Sequence, residues 1–341
     1  MKTRKHLTVA LLLLLAGTAW AGDIEDADVA WVKNDYVTAL KKYKSAAAKN
    51  NPYAQRQIGT IYNLGFGVTQ NYTEAVRWYK LAAAQGDAFA QAGLGFKYAN
   101  GEGVTQNHLE AARWYRLAAD QGVALAQAGL GFMYNNGQGV TQDYAEALRW
   151  YKSAAEQGVA FAQVKLGLKY ASGEGVIQNH AEAARWYKLA AAQGDAFAQY
   201  ALGWMYYRGE GVAQDYTEAV RWSKLAAAQG IALSQYIVGY MYNKGQGVAQ
   251  DYAEALRWYK LAATQGNEIA QFNLGAMYAN GEGVAQNHVL AHMWFNLASI
   301  KGGADGAKSR NLIALKMTPQ QIAEAQKLAH ECQSRNFKNC D

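Results

Sequence analysis

Apolar residues recur along the chain at helical spacing, in pairs of short segments. Within residues 87–122, Leu94 and Tyr98 lie four positions apart in the first segment. The second segment carries its apolar stripe at Ala111, Trp114, Tyr115, Ala118 and Ala119. Spacings of three and four residues place side chains on one face of an α-helix. The pattern predicts a helix A over residues 87–99 and a helix B over residues 108–121.

This pair of segments repeats every 36 residues. A G-x-G-V sequence opens at Gly65, Gly101, Gly137, Gly173, Gly209, Gly245 and Gly281. Tryptophan keeps the same step at Trp78, Trp114, Trp150, Trp186, Trp222, Trp258 and Trp294. A strict period of this length predicts a tandem array of helix–turn–helix units, and therefore an all-α fold.

Turn and cap residues support both predicted helices. Gly101 and Gly103 should end helix A, because glycine adopts positive φ at little cost. Asn107 stands where an N-cap for helix B belongs, and Gly122 closes the unit. The Trp-Tyr pair is expected to supply most of the buried area. We therefore interpret the glycines and tryptophans as structural.

The repeated pattern A-Q-x-x-L-G-x-x-Y-x-x-G-x-G-V-x-Q-[DN]-x-x-x-A-x-x-W-Y-x-x-A-A-x-x-G resembles the Sel1-like repeat, a relative of the tetratricopeptide repeat. The resemblance covers residues 51–302. It implies a right-handed α/α superhelix whose A helices line the concave face. One departure is the proline usual after G-x-G-V, which is replaced here by threonine, isoleucine or alanine.

The chain divides accordingly into a leader, a cap, an array and a second cap. Residues 22–50 are predicted to form a degenerate capping repeat, and residues 303–341 the closing helices. Thr318, Pro319 and Gln321 have the order of a helix start with a capping box. The seven predicted repeats are 51–86, 87–122, 123–158, 159–194, 195–230, 231–266 and 267–302.

The first 21 residues are predicted to be a secretory signal rather than part of the fold. A positively charged start precedes an apolar run over residues 7–17, and Ala19-Trp20-Ala21 supplies a small-x-small cleavage pattern. The apolar run is too short to span a membrane. Removing this segment lowers the formal net charge from +6 to about +3. So mild a charge gives no reason to expect nucleic acid as a partner.

The two cysteines, Cys332 and Cys340, both lie near the C-terminus. In an oxidising compartment a pair this close is expected to form a disulfide. On the chain-entropy model that bond contributes roughly 2–3 kcal/mol. A metal or redox site is a poorer interpretation, since the spacing is not C-x-x-C and no histidine cluster is nearby.

A search for catalytic chemistry gives no strong candidate, and no cofactor or metal is predicted. The G-x-G motif follows no strand and recurs seven times, so it does not indicate phosphate binding. His288 and His292 have metal-pair spacing, but the motif H-E-x-x-H is missing. Glutamates precede arginines by three residues in helix B, as in Glu110 and Arg113. We interpret these as surface ion pairs, with a basic ladder for an acidic partner as the alternative.

At two positions of helix A the side chain differs in size from repeat to repeat, and these two positions lie on the same face of the helix. The first is occupied by Arg56, Ala92, Ala128, Val164, Tyr200, Tyr236 and Phe272. The second is occupied by Thr60, Phe96, Phe132, Leu168, Trp204, Tyr240 and Ala276. Aromatic and cationic side chains concentrate in residues 195–280, and these types dominate interface energetics. The predicted partner-binding residues are Tyr200, Trp204, Tyr207, Arg208, Tyr236, Tyr240 and Phe272.

Together these features predict a monomeric exported scaffold or adaptor, periplasmic or secreted, that binds a protein or peptide and is not an enzyme. Two alternatives stay open. One is a secreted host-interaction factor. The other is a cell-wall-directed hydrolase or β-lactamase-like enzyme, an activity credited to some exported proteins with this repeat. The sequence has no S-x-x-K and no G-x-S-x-G motif, which weakens the enzymatic alternative.

Overall fold

The computed structural model describes residues 21–300, 303–338 and 340. Over these residues the chain forms eighteen α-helices and no strand, which confirms the all-α class. Two helices precede the repeats and two follow them: Ala21–Val32 (α1), Tyr36–Ala48 (α2), Ala304–Ala314 (α17) and Pro319–Ser334 (α18). The predicted leader falls outside the described residues, except for Ala21 at the start of α1.

Each of the seven repeats contributes two helices. The A helices are Pro52–Leu64 (α3), Ala88–Asn100 (α5), Ala124–Asn136 (α7), Ala160–Ser172 (α9), Ala196–Arg208 (α11), Ala232–Lys244 (α13) and Glu268–Asn280 (α15). The B helices are Tyr72–Ala84 (α4), His108–Asp120 (α6), Tyr144–Glu156 (α8), His180–Ala192 (α10), Tyr216–Ala228 (α12), Tyr252–Ala263 (α14) and His288–Ser299 (α16). Helices A and B of residues 87–122 therefore end within one residue of the prediction.

Local signals fix where these helices begin and end. The Asn107 side chain accepts a hydrogen bond from the Glu110 backbone N–H at the start of α6, as expected of an N-cap. Gly101 follows α5 in the left-handed conformation, and its N–H donates to the Lys97 carbonyl oxygen. The second glycine of the turn, Gly103, has a different task. A Cβ there would overlap the Tyr72 backbone of the preceding repeat, so the turn can pack only if this residue is glycine.

The chain divides into two compact units, Met1–Gln157 and Gly158–Asp341. In the first unit, the repeat cores are built around alanine pairs, one leucine or isoleucine and the tyrosine of each Trp-Tyr pair. Leu94 and Leu130 are fully buried, and Tyr115 is almost so. Gly95 leaves the space that the Tyr115 ring occupies. Close helix approach therefore depends on small residues opposite one large ring.

Glutamine joins consecutive repeats in both units. Within the first, Gln91 is buried in α5, and its amide donates to the carbonyl oxygen of Ala83 in the preceding repeat. The same side chain accepts a hydrogen bond of 2.8 Å from Gln121, at the end of its own repeat. In the second unit, Gln199 makes the equivalent bonds to Ala191 and Gln229. Because both polar groups of the amide are satisfied, it can be buried at low cost.

The second unit ends in a cap around the last repeat. Thr318 and Gln321 form the predicted capping box at the start of α18. Cys332 and Cys340 form a disulfide, which confirms that prediction. Both cysteines are buried in the cluster that contains Trp294. The bond therefore holds the terminal segment onto the core. None of the described helices has the length and apolar character needed to cross a membrane.

Candidate aromatic partner-binding face

Six of the seven predicted partner-binding residues lie on two adjacent A helices of the second unit. They are Tyr200, Trp204, Tyr207 and Arg208 on α11, with Tyr236 and Tyr240 on α13. We call Tyr200, Trp204, Tyr207, Tyr236 and Tyr240 the aromatic face. Positions three and four apart lie side by side on a helix surface, so each helix presents its aromatic residues together.

Ring contacts connect the aromatic face across the two helices. The Trp204 and Tyr207 rings stack with centroids 5.6 Å apart. Tyr207 meets Tyr240 edge to face at 6.3 Å, and Tyr240 contacts Tyr236 at the same centroid distance. Such pairs add about 0.5–1.5 kcal/mol each beyond area burial. The rings therefore hold one another in place as a pre-organised surface.

The aromatic face is partly buried and partly open. Trp204 exposes 38% of its surface, whereas the four tyrosines are half-buried. Burial raises the pKa of Tyr200 and of Tyr236. Burial also raises the pKa of Tyr207, and the neighbouring Tyr240 adds to that shift. All three phenols therefore keep their protons near neutral pH and can donate hydrogen bonds.

Two cations border the aromatic face. The Arg208 guanidinium lies 5.8 Å from the Trp204 ring centroid, and the Lys244 ammonium lies 6.0 Å from that of Tyr240. These are cation–π distances. Arg208 also forms a 3.2 Å ion pair with Glu210 in the following turn. The border of the aromatic face is thus positively charged, because Glu210 neutralises only part of this charge.

Phe272 does not join this group. Its ring contacts Phe295 at a centroid distance of 5.4 Å and packs on the core of the last repeat. The Phe272 ring therefore packs within its own repeat, as the Tyr236 ring does on Tyr259, but it has no link to the rings of α11 and α13 among the ring contacts of the described residues. Ala128 and Val164, at the same repeat position, are also buried.

A serine underlies the aromatic face at a position that is aromatic in every other repeat. Ser223 follows Trp222, where the other repeats have a tyrosine or phenylalanine. It is fully buried, and its hydroxyl has no hydrogen-bond partner in the part of the chain that the structure describes. Tyr200 and Tyr236 pack on the adjoining cluster that contains Ile237. We interpret these larger residues as filling space that a ring at position 223 takes in the other repeats.

The sequence analysis missed a further apolar position. The first turn of helix A exposes Phe197, Leu233 and Ile269, by 41%, 46% and 53%. This position is aromatic or aliphatic in every repeat. That persistence is the signal in the sequence, and a comparison limited to positions that vary between repeats does not detect it. Phe197 contacts Tyr200 at 6.1 Å and so extends the aromatic face toward the start of α11.

The remaining polar candidates have structural surroundings. Arg185, Arg221 and Arg257 pair with the glutamates three residues earlier, at 2.9–3.1 Å. The predicted surface ion pairs therefore form, and the basic ladder is largely neutralised. His292 is buried, whereas His288 lines a small surface pocket with Gln321. Over the described residues, no three His, Cys, Asp or Glu side chains cluster as a metal site would require.

The sequence pattern described as Sel1 repeat matches residues 52–87, 88–123, 124–159, 160–195, 196–231, 232–267 and 269–303. A Sel1 repeat protein from Oxalobacter formigenes has a similar structure. It is 34% identical, with a TM-score of 0.60, over 73% of this chain and 98% of its own. Also similar is c5321, described as a protective antigen of uropathogenic Escherichia coli with an SLR fold. It is 28% identical, with a TM-score of 0.54, over 94% of this chain and 85% of its own. No curated protein matches the chain.

Proposed function

Because the chain belongs to the Sel1 repeat family, we propose that it is an exported scaffold or adaptor that binds a protein or peptide partner through its A helices. The observation that carries this proposal is the aromatic face. The indole ring of Trp204 is partly exposed and stacks on Tyr207, which in turn contacts Tyr240. Rigid, partly exposed Trp and Tyr side chains are the types that supply most binding energy at protein interfaces.

Export is supported by two independent features. Residues 1–21 have the composition of a secretory signal, and the buried Cys332–Cys340 disulfide fits an oxidising compartment. We propose the periplasm or the cell exterior as the location. A role in host interaction is the second candidate. It is favoured by the similarity to c5321, which is described as a protective antigen of a pathogen.

An enzymatic role would need a different kind of site. Hydrolysis of cell-wall material calls for paired carboxylates or an activated nucleophile in a cleft. The aromatic face instead combines rings and phenol hydroxyls, and two cations border it. These groups suit recognition, and proteins built from Sel1 repeats are generally scaffolds. We therefore propose binding rather than catalysis.

The test is capture of partners by crosslinking in envelope and culture fractions, comparing the parent chain with a Trp204→Ala/Tyr240→Ala double variant. The matched control is Phe96→Ala/Phe132→Ala, which removes rings at the same repeat position in the first unit. Since truncating one aromatic hot spot costs roughly 2 kcal/mol or more, we expect the affinity for the captured partner to fall at least about thirtyfold. The control should bind normally.

Circular dichroism and thermal melting decide what a loss of binding means. The double variant should keep the helicity and melting temperature of the parent, because both side chains are only partly buried. Unfolding of the variant would show that these residues belong to the core. Unchanged capture by a folded variant would show that the partner does not use this face.

A further inference from the structure

The exposed side chains of α11 and α13 change character in the same order along each helix. The first turn exposes an apolar residue, Phe197 or Leu233. The middle turns carry the aromatic face. The last residue of each helix is a cation, Arg208 or Lys244, directly before the turn glycine. A ligand on this surface therefore meets apolar, aromatic and positive groups in sequence.

The cations occur only where the aromatic face occurs. The last residue of helix A is uncharged in the other five repeats: Leu64, Asn100, Asn136, Ser172 and Asn280. The same two repeats have tyrosine at positions 200 and 236. Neither cation is needed to end its helix, since glycine does so in every copy. Because the rings and the cations occur in the same two repeats, they are expected to contribute to the same function.

The two charges are unequally neutralised. Arg208 has Glu210 in its own turn, but the equivalent residue after Lys244 is Gln246. Among the described residues no carboxylate forms an ion pair with Lys244. An incoming carboxylate near Lys244 therefore has no local competitor. Near Arg208 an incoming carboxylate would share the guanidinium with Glu210, and the guanidinium has enough N–H donors for both.

Building on the proposed function, we infer that the partner segment is acidic as well as apolar. Its aromatic or aliphatic side chains contact Trp204 and Tyr240, and a carboxylate lies between Arg208 and Lys244. Each cation lies over a ring. An apolar residue and an acidic residue that are neighbours in the partner can therefore contact the ring and the cation at the same time. The carboxylate is the side chain of an Asp or Glu residue of the partner segment. Charges at an exposed border contribute specificity more than affinity.

The probe is a library of random linear peptides displayed on phage and selected on the purified chain. Selected peptides should be enriched in Asp and Glu next to aromatic or aliphatic residues. Synthetic copies should bind Arg208→Glu/Lys244→Glu about tenfold or more weakly. Selection on that variant should instead enrich Lys and Arg. The matched control, Asn100→Glu/Asn136→Glu, changes the same positions in the first unit and should select acidic peptides like the parent.

The outcomes separate the inference from the function on which it rests. Peptides that depend on Trp204 and Tyr240 but are neutral or basic would overturn the acidic partner and leave the proposed function standing. Binding of polysaccharide through Trp204, with no peptide selected, would overturn both. Equal binding of acidic peptides to the parent and to a folded Arg208→Glu/Lys244→Glu variant would overturn the role of the cations.

Discussion

The A helices of the two units share a skeleton but differ in what they present. In the first unit, α5 and α7 expose the phenyl rings of Phe96 and Phe132 and end in asparagine. In the second, α11 and α13 carry indole and phenol rings and end in Arg208 and Lys244. The first surface offers apolar rings and uncharged amides. The second adds hydrogen-bond donors and charge, which bring orientation and selectivity.

The difference extends below the surface. In the first unit, Tyr115 lies in the core between Gly95 and Gly129, and the facing residues of the A helices are alanines. In the second unit Ser223 takes the tyrosine's position, and the facing residues are larger. A change of surface chemistry is thus coupled to a change of packing.

The largest predicted effect concerns the skeleton that both units share. Gly103→Ala in the first unit and Gly211→Ala in the second should each destabilise the protein by about 3–5 kcal/mol. In both, a Cβ would overlap the carbonyl group of the preceding repeat, and φ is positive. Urea unfolding measures the loss. The controls Gly86→Ala and Gly194→Ala have positive φ but open space around the Cβ, so about 1–2 kcal/mol is expected. Equal costs at both kinds of site would show that the turn does not need this close contact.

A second prediction concerns substitutions that exchange the core residues of the two units. Tyr115→Ser should cost about 3–5 kcal/mol in urea unfolding, because it removes a buried ring that nothing replaces. Adding Ala92→Tyr, Ala128→Tyr and Gly129→Ile reproduces the residues found around Ser223 at the corresponding positions. This combination should recover a large part of the loss.

The reciprocal change gives the control. Ser223→Tyr should overpack the core of the second unit and lower the free energy of unfolding by about 1–3 kcal/mol. It should also displace Tyr200 or Tyr236 toward solvent. Tyrosine fluorescence and near-ultraviolet circular dichroism would report that movement. If Ser223→Tyr stabilises the protein and the first-unit combination gains nothing, the larger residues do not compensate for the serine.

The repeat architecture could be predicted because each of its signals is local and occurs several times. Asn107 as an N-cap and Gly101 as a helix stop depend only on nearby backbone. The positions of the aromatic face could also be found, by comparing copies. Exposure could not, because it depends on the partner helix. Tyr236 stacks on Tyr259 of its own repeat and also contacts Tyr240, whereas Phe272 packs on Phe295.

The smallest predicted effect is a sensitivity to mild acid that arises from a buried histidine of the second unit. His292 is buried, and burial lowers its pKa, with the nearby Arg310 adding to the shift. At the same repeat position the first unit has Val76, Ala112 and Leu148, which do not titrate. Because the native state favours the neutral imidazole, the unfolded chain binds the proton first as the pH falls. The stabilisation is therefore complete above about pH 6.5 and decreases below it, toward the lowered pKa of the folded protein.

Urea unfolding at about pH 7 and about pH 5 measures this sensitivity. His292→Leu places the residue of Leu148 in the second unit, and it should reduce the difference in stability between the two pH values. His108→Tyr is the matched control in the first unit, since Tyr72 and Tyr144 occupy its repeat position, and it should keep the acid sensitivity of the parent. An unchanged pH dependence in His292→Leu would assign the effect to other groups. A reduced one would show that the buried His292 links the stability of the protein to pH.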